Sequence, residues 1–288
     1  MLQEALTYLN PQPEGIFVDG TLGLGGHSRA ILQQIGPKGR LIGLDCDASA
    51  IEIAKKNLID FNNQCLFIHS NYRDLCKQLQ ARQIKQIDGL LVDLGLSSFQ
   101  IDDPERGFSL RSMGPLDMRM DQSEQFSAFD LIHSLSEKEL DSILDNFGQE
   151  RWHHRIARLL VAQRSKQPIE TTQDLTRIVL SALPAKRNRQ KIHPATRTFQ
   201  AIRIAVNREL ESLEALLKES EFLLKKGGRI AVISFHSLED RIVKNVFRDW
   251  GKEGKYQVLL KKPLRPTEEE VKQNPRARSA RLRAVERI

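Results

Sequence analysis

The feature that most constrains the fold is a repeated alternation between short apolar runs and helical stretches over the first hundred residues. The runs are Ile16-Phe17-Val18, Leu41-Ile42-Gly43-Leu44, Leu66-Phe67-Ile68 and Leu90-Leu91-Val92. Alternation of this kind is typical of βαβ units, which build a parallel sheet. Each run is followed by a polar residue or glycine, and open α/β sheets bind ligands beyond the carboxyl ends of their strands. The pattern therefore predicts an α/β protein with its site at those ends.

The βαβ pattern stops near residue 104 and resumes only in an apolar run at 227–234, which predicts a fifth strand. Helical patterns fill the interval. A capping box that pairs Ser136 with Glu139 indicates one helix, and Thr171 at the start of a 3,4-spaced apolar pattern indicates another. Because the interval is too long for a crossover connection, it predicts a separate helical domain.

These boundaries give a discontinuous sheet domain with a helical insert. The sheet domain is predicted to take residues 1–105 and 196–288, and the insert takes residues 106–195. A single long amphipathic helix, whose apolar stripe runs from Phe199 to Leu217, is expected to lead the chain back to the sheet.

Composition excludes several other classes of protein. Hydrophobic residues make up 40% and charged residues 28% of the 288 residues, which is ordinary for a globular chain. No apolar run approaches the roughly 18 residues that cross a bilayer, and the chain opens with no signal pattern, so we expect a cytoplasmic protein without a membrane partner. Cys46, Cys65 and Cys76 lack CxxC spacing, which argues against a disulfide framework and against a structural metal site.

Charge is distributed unevenly along the chain, whose net charge is +7. Residues 121–150 carry eight acids and one base, whereas residues 151–208 carry thirteen bases and two acids. Residues 261–288 carry nine bases and four acids. Two basic segments can form one phosphate-binding face, because each neutralised phosphate releases counterions. A solvated helix face is the alternative for each segment.

A glycine-rich loop, DGTLGLGGHS, follows the first predicted strand from Asp19 to Ser28. Glycines allow a tight turn that brings backbone amides and a helix N-terminus against a ligand. Asp45 ends the second predicted strand nineteen residues beyond Gly26, close to the spacing at which an acid binds an adenosine ribose. The dinucleotide fingerprint G-x-G-x-x-G is met only loosely. An acid before the first glycine suits a cationic ammonium and sulfonium, which favours S-adenosylmethionine.

Longer motifs, spread over nearly the whole chain, form a specific combination. They are DGTLGLGGHS at 19–28, DGLLVDLGLSS at 88–98, ERGFS at 105–109, GPLDMRMD at 114–121, HPATRTFQAIRIAVNREL at 193–210, ISFHSLEDRIVK at 233–244 and NPRARSARLR at 274–283. Together they make the sequence resemble the RsmH-type (MraW-type) 16S rRNA cytosine N4-methyltransferases of bacteria. The resemblance implies a class I (Rossmann-like) methyltransferase sheet with a small helical insert that binds the RNA substrate.

The resemblance also implies the reaction and its participants. S-adenosylmethionine would donate a methyl group to the N4 amine of a cytidine in the decoding region of 16S rRNA, position 1402, within the 30S subunit. No metal is implied, and the oligomeric state, monomer or homodimer, is left open. The implied cofactor residues are Gly25, Gly26 and His27 for the methionine portion, Asp45 for the ribose, Tyr72 for the adenine surroundings, and Asp93 and Gln100.

The target amine is a poor nucleophile, because its lone pair is delocalised into the cytosine ring. A hydrogen-bond acceptor at N4–H would help it, and Asp93 or a backbone carbonyl in residues 94–98 is the candidate. The run DLGLSSF departs from the Pro-Pro-aromatic motif of DNA amino-methyltransferases, so Phe99 or Phe235 is a candidate for stacking on the base. The other substrate candidates, each with a structural role as its alternative, are Arg197, Arg203, Asn207, His236, Arg276 and Arg278.

Two other functions stay open at this point. The first is a non-catalytic RNA-binding ribosome assembly factor that keeps the fold and uses its basic face. The second is a nicotinamide dehydrogenase, which the glycine loop suggests, although no hydride-transfer residues are evident. The sequence departs from the family pattern before Met1-Leu2-Gln3-Glu4, where relatives have a His-containing stretch, so we expect either a truncated start or a lost contact.

Overall fold

The computed structural model describes residues 1–184 and 193–288. Residues 185–192, which hold four bases of the basic segment 151–208 and part of the predicted insert, lie outside the described residues. The described strands are β1 (Ile16–Asp19), β2 (Arg40–Asp45), β3 (Cys65–His69), β4 (Ile87–Asp93), β5 (Leu224–Ser234), β6 (Tyr256–Val258) and β7 (Arg281–Arg287). The described α-helices are α1 (Leu2–Leu9), α2 (Gly26–Ile35), α3 (Ala48–Asn57), α4 (Leu75–Gln80), α5 (Ser98–Asp102), α6 (Ala128–Ser134), α7 (Glu137–Asn146), α8 (His153–Arg164), α9 (Thr172–Ala182), α10 (Thr196–Asn207), α11 (Glu209–Ser220), α12 (Ser237–Lys252) and α13 (Glu268–Gln273).

The described chain divides into two compact units. The sheet unit comprises Met1–Gly95 and Leu210–Ile288, and the helical unit comprises Leu96–Glu209. The helical unit is thus longer at both ends than the insert expected from the sequence. The reason is packing, since Leu96 and Phe199 belong to the apolar cluster of the helical unit.

The sheet unit contains a seven-stranded sheet in the order β3-β2-β1-β4-β5-β7-β6. The pairs among β1 to β5 are all parallel, whereas β7 runs antiparallel to β5 and β6 antiparallel to β7. Strands buried on both faces read as continuous apolar runs, as Leu90-Leu91-Val92 does. The predicted α/β class with a Rossmann-like parallel sheet is confirmed.

Each face of the sheet is covered by helices of the same unit. Alternate strand residues point to opposite faces, so Phe17 belongs to the cluster formed with α1, α2 and α3. Its neighbour Val18 belongs to the cluster formed with α4, α11 and α12. This three-layer packing fixes the ends of the parallel strands at one edge of the sheet.

The C-terminal strand β7 changes how the basic segment 261–288 must be interpreted. The guanidinium of Arg283 donates to Asp240 Oδ1 at 2.7 Å, and Arg281 donates to Asp240 Oδ2 at 3.1 Å. Both guanidinium groups are therefore engaged by the same carboxylate within the fold. The exposed bases of the segment are Lys261, Lys262, Arg265, Lys272, Arg276 and Arg278.

The helical unit is built from amphipathic helices with capped N-termini. Both helix starts expected from the sequence are confirmed: Ser136 caps α7 in a capping box with Glu139, and Thr171 caps α9 in a capping box with Asp174. Reciprocal bonds of this type satisfy first-turn amides that would otherwise lack partners.

The single long helix expected from Phe199 to Leu217 is wrong. Helix α10 ends at Asn207, and Arg208 adopts a left-handed conformation with φ of 50° before α11 begins. The side-chain amide of Asn207 donates to Met118 O at 2.8 Å and accepts from Met120 N at 2.7 Å. These bonds anchor the end of α10 to a distant segment, and the left-handed residue breaks the helix there.

Among the described residues, no helix combines the length and the apolarity that a membrane span requires.

Candidate functional site

Three carboxylates lie at the carboxyl ends of neighbouring strands in the sheet unit. Asp45 ends β2, Asp19 ends β1 and Asp93 ends β4, and β1 pairs in parallel with both of the other strands. Burial is the main cause that raises the pKa of Asp19, and the negative charges of Asp93 and Asp45 raise it further. The edge of the sheet that the sequence singled out therefore concentrates negative potential, which suits a cationic ligand.

Asp19 organises the glycine-rich loop that follows it. Its side chain is buried at 1% exposure, and its Oδ2 accepts a hydrogen bond from the Ser28 hydroxyl at 2.7 Å. Oδ1 accepts from the backbone N–H of Thr21 at 3.2 Å. Burial raises the pKa of Asp19 to about 7, although both hydrogen bonds act in the opposite direction. Asp19 thus joins the start of the loop to the first turn of α2.

Asp45 holds the other side of the same loop. Its Oδ2 accepts from Gly23 N at 2.8 Å, and its Oδ1 accepts from Asp47 N at 2.9 Å. Burial raises the pKa of Asp45 above its usual value. A carboxylate offers about four lone-pair sites, so it can still accept from a ribose hydroxyl beside these backbone donors.

The loop brings the N-terminus of α2 to this edge. Gly23 and Gly25 have φ of 50° and 85°, values that glycine adopts without strain. A Cβ at Gly26 would meet no atom of the described residues within 4 Å, apart from its chain neighbours and its own helix backbone. In the part of the chain that the structure describes, no side chain caps α2, so its first amides are available to a negatively charged group. The loop therefore leaves space and donors where a ligand carboxylate can bind.

His27 and Asp93 each have a buried polar atom that lacks a hydrogen-bond partner among the described residues, His27 Nε2 and Asp93 Oδ1. Their other atoms, His27 Nδ1 and Asp93 Oδ2, lie 3.8 Å apart. The backbone N–H of Asp93 donates to Thr21 Oγ1 at 2.7 Å, which ties β4 to the loop. Buried polar atoms normally have partners, so these two are the strongest indication that a ligand belongs here.

Desolvation dominates the electrostatics of this pair. It raises the pKa of Asp93 to about 7 and lowers the pKa of His27 to about 4. About a third of the Asp93 side chain (32%) remains exposed, so its carboxylate can still meet an incoming molecule. A carboxylate with a pKa near neutrality is suited to accept a proton.

The other candidate residues of the sheet unit have different local roles. Tyr72 follows β3, and a Cβ on Gly20 would lie 3.6 Å from the Tyr72 Cβ, so the tyrosine flanks the start of the loop. His236 caps α12, with its Nδ1 accepting from Glu239 N at 3.5 Å. Arg276 and Arg278 lie exposed on a short 3-10 turn, Pro275–Ser279.

Candidates in the helical unit are largely engaged within it. Gln100 Oε1 accepts from Ser97 N at 3.1 Å and completes the capping box of α5, which also carries Phe99. Arg203 makes a two-pronged ion pair with Glu209, both distances being 2.8 Å. Other described contacts of the set are Arg197 Nη1 with Gln149 O at 3.0 Å and the Asn207 amide with Met118 and Met120.

Two residues outside the predicted set, Thr21 and Ser28, also build the site. Thr21 accepts from Asp93 N, and Ser28 donates to Asp19, so both hydroxyls fix the loop geometry. Their signal was present, because hydroxyl side chains two and nine residues after a buried acid are natural partners for it and for nearby backbone.

The chain is similar in sequence to known methyltransferases over its whole length. The sequence profile described as the MraW methylase family matches residues 1–288. The chain is 42% identical to the ribosomal RNA small subunit methyltransferase H of Clostridioides difficile and 45% identical to that of Halothermothrix orenii, over 100% of this chain and 97% of each relative. It is also similar to the crystal structure of a putative rRNA methylase from Clostridium thermocellum, with a TM-score of 0.48 and 12% identity, over 100% of this chain and 93% of that one.

Proposed function

The chain belongs to the MraW methylase family, and from that premise we propose that it transfers a methyl group from S-adenosylmethionine to the N4 amine of a cytidine in small-subunit ribosomal RNA. Its relatives carry the name ribosomal RNA small subunit methyltransferase H. The observation that carries the proposal is a pair of buried atoms, His27 Nε2 and Asp93 Oδ1, which have no hydrogen-bond partner in the described part of the chain and lie near the glycine-rich loop that leads into α2. The proposed target is the decoding-region cytidine at position 1402 of 16S rRNA.

The residues of the sheet unit fit this cofactor. The first amides of α2 suit its carboxylate, and Asp45 suits its ribose diol. The row of carboxylates suits its positive ammonium and sulfonium. We assign Gly25, Gly26 and His27 to the methionine portion and Tyr72 to the adenine surroundings. When bound, S-adenosylmethionine supplies an electrophilic methyl group.

Asp93 is the proposed acceptor for the target amine. As the N–C bond forms and the S–C bond breaks, N4 gains positive charge and must lose one proton. A carboxylate oxygen of Asp93 that accepts from N4–H draws electron density toward the nitrogen and then receives this proton. The bond from Asp93 N to Thr21 Oγ1 fixes the backbone from which this carboxylate projects.

The helical unit is the proposed RNA-binding part. Three arginines at the start of α8 are exposed: Arg155 and Arg158 in the helix, and Arg151 just before its N-cap residue. Their spacing of four and three residues places them on one side of the helix. Such a row of guanidinium groups is suited to phosphate oxygens. Phe99 and the exposed Arg276 and Arg278 remain candidates for base and phosphate contacts.

A methyl-transfer assay tests the proposal directly. The substrate is 30S subunits from a strain that lacks the modification, with labelled S-adenosylmethionine, and digested rRNA is examined by mass spectrometry. Label in N4-methylcytidine supports the proposal. Label at C5 or at a ribose O2′, or no label from protein that binds the cofactor, contradicts it.

The alternative of a non-catalytic assembly factor makes a different prediction for Asp45→Ala. If the protein acts only by binding RNA, this variant keeps its RNA affinity and its effect on subunit assembly. If it is a methyltransferase, the variant keeps RNA affinity but loses cofactor binding and activity. Calorimetry with S-adenosylmethionine on the wild type separates the two cases before any RNA is added.

A further inference from the structure

Two histidines and one aspartate converge in the helical unit, and the proposed reaction uses none of them. The Nδ1 atoms of His153 and His154 each lie 2.7 Å from Oδ1 of Asp141. The two imidazole centroids are 4.0 Å apart. Asp141 lies on α7 and the histidines form the first turn of α8, so the cluster links two helices across the turn between them.

The donor set of this cluster is typical of a transition-metal site. One atom from each residue lies within 4.8 Å of the other two. Two imidazole nitrogens with one carboxylate oxygen suit Zn²⁺ and similar ions, whereas Mg²⁺ and Ca²⁺ prefer oxygen ligands alone. We propose that Asp141, His153 and His154 form a binding site for Zn²⁺ or a similar divalent transition-metal ion.

Exposure of the three side chains is consistent with an open site. Asp141 and His153 are 21% and 18% exposed, whereas His154 is 80% exposed. Two ligands are thus shielded from water, which strengthens their attraction for a cation. The third ligand, His154, faces solvent, so a water molecule can complete a tetrahedral shell around the three protein ligands.

The charge around the cluster is mixed, with an acidic contribution from α7. Glu137 and Asp145 lie four residues before and after Asp141, so they add negative charge to the same helix face. They belong to the acidic segment 121–150, which RNA binding does not explain. Arg151 and Arg155, both exposed, oppose a cation from the α8 side and weaken this attraction.

Metal binding competes with a simpler arrangement, in which each neutral imidazole donates its Nδ1–H to the aspartate. To bind a metal through Nδ1, each ring must carry its proton on Nε2 instead. The two arrangements differ in their response to added metal, which makes them separable.

Calorimetry on the full-length, tag-free protein after EDTA treatment tests the site, with ZnCl₂ and MgCl₂ as titrants. The test variants are His154→Ala and Asp141→Asn, and His193→Ala, which removes an exposed histidine elsewhere in the unit, is the matched control. We expect one Zn²⁺ to bind to the wild type and to the control. Affinity falls about tenfold or more in both test variants, because loss of a direct ligand costs at least as much as loss of a supporting residue.

Thermal unfolding gives a second readout that does not depend on enzyme activity. A metal that binds only the folded chain raises Tm, so Zn²⁺ should stabilise the wild type and His193→Ala but not His154→Ala. His154 is exposed, so its replacement by alanine leaves the fold intact. Equal zinc affinity in the wild type and His154→Ala would overturn the proposal, as would an absence of zinc binding by the wild type or equal stabilisation by Mg²⁺.

Discussion

Asp93 is the residue on which the proposed chemistry depends most. Asp93→Asn keeps the size of the side chain but removes the negative oxygen that accepts from N4–H. We expect the single-turnover rate to fall by roughly 100-fold or more, in line with loss of a general base. S-adenosylmethionine affinity should change much less, because Asp45 and the α2 amides remain. The measurement is methyl transfer to unmodified 30S subunits at saturating cofactor.

The pH profile of the same variant shows how Asp93 acts. Since desolvation raises the pKa of Asp93 to about 7, only part of the wild type has an ionised acceptor at neutral pH. The wild-type rate should therefore rise with pH through this region, with a midpoint at or below 7 because a bound cation lowers the pKa. Asp93→Asn should show a flat profile, and the exposed control Asp60→Asn should match the wild type. A sloping profile in Asp93→Asn would assign the titration to another group.

For Asp19 we predict that stability falls as pH rises, whereas the methyl-transfer rate should rise. Its folded-state pKa is about 7, against 3.8 for the unfolded chain, so between these values the folded state binds more protons. The free energy of unfolding that Asp19 contributes therefore falls as pH rises from about 4 to 7. Asp19→Asn does not titrate, so its stability relative to the wild type should improve by about 2 to 4 kcal/mol between pH 5 and pH 8. Urea unfolding of both proteins at the two pH values measures this, and a constant difference would contradict it.

The glycine loop and α2 form the element that the proposed cofactor contacts. Gly26→Ala places a methyl group in space that none of the described residues fills, at the first position of a helix, where alanine is favoured over glycine. We expect the free energy of unfolding to stay the same or rise slightly, while the Kd for S-adenosylmethionine rises about tenfold, a change of about 1.4 kcal/mol. Calorimetry and urea unfolding measure the two quantities.

Gln33→Ala is the matched control for this loop variant. Gln33 lies exposed on the same helix, so its replacement should alter neither binding nor stability by more than about 0.5 kcal/mol. If Gly26→Ala binds the cofactor as tightly as the control does, the open space beside Gly26 is not part of the cofactor site.

At the level of elements, the sequence was informative where the signal is local. The parallel strands were predictable because burial on both faces makes them apolar throughout, and the acids of the site follow those strands directly. The helix break at Arg208 was not predictable from the sequence, because Asn207 is held by Met118 and Met120, nearly ninety residues away. The convergence of Asp141 with His153 and His154 likewise depends on how α7 packs against α8, which spacing alone does not reveal.

For the molecule as a whole, the charge count likewise depends on the fold for its interpretation. A net charge of +7 is compatible with RNA binding, but the count does not say which bases are free to meet phosphate. Arg281 and Arg283 belong to the basic segment 261–288, yet both bind Asp240 within the sheet unit. Arg155 and Arg158 on α8 are exposed. The distribution of exposed bases, and not their number, should decide how RNA affinity depends on salt.

The salt dependence of RNA affinity therefore reports how many exposed bases contact phosphate. Each phosphate contact that is lost lowers the slope of log K against log salt concentration by about 0.7 to 0.9. Replacing Arg155 and Arg158 by alanine should reduce the slope for 16S rRNA fragments by about 1 to 2, while cofactor affinity stays the same. Replacing Lys77 and Lys85, which are exposed on the sheet unit, removes the same charge and serves as the control. Filter binding at several salt concentrations measures both, and an equal reduction in the two double variants would mean that net charge alone, without a localised face on α8, attracts the RNA.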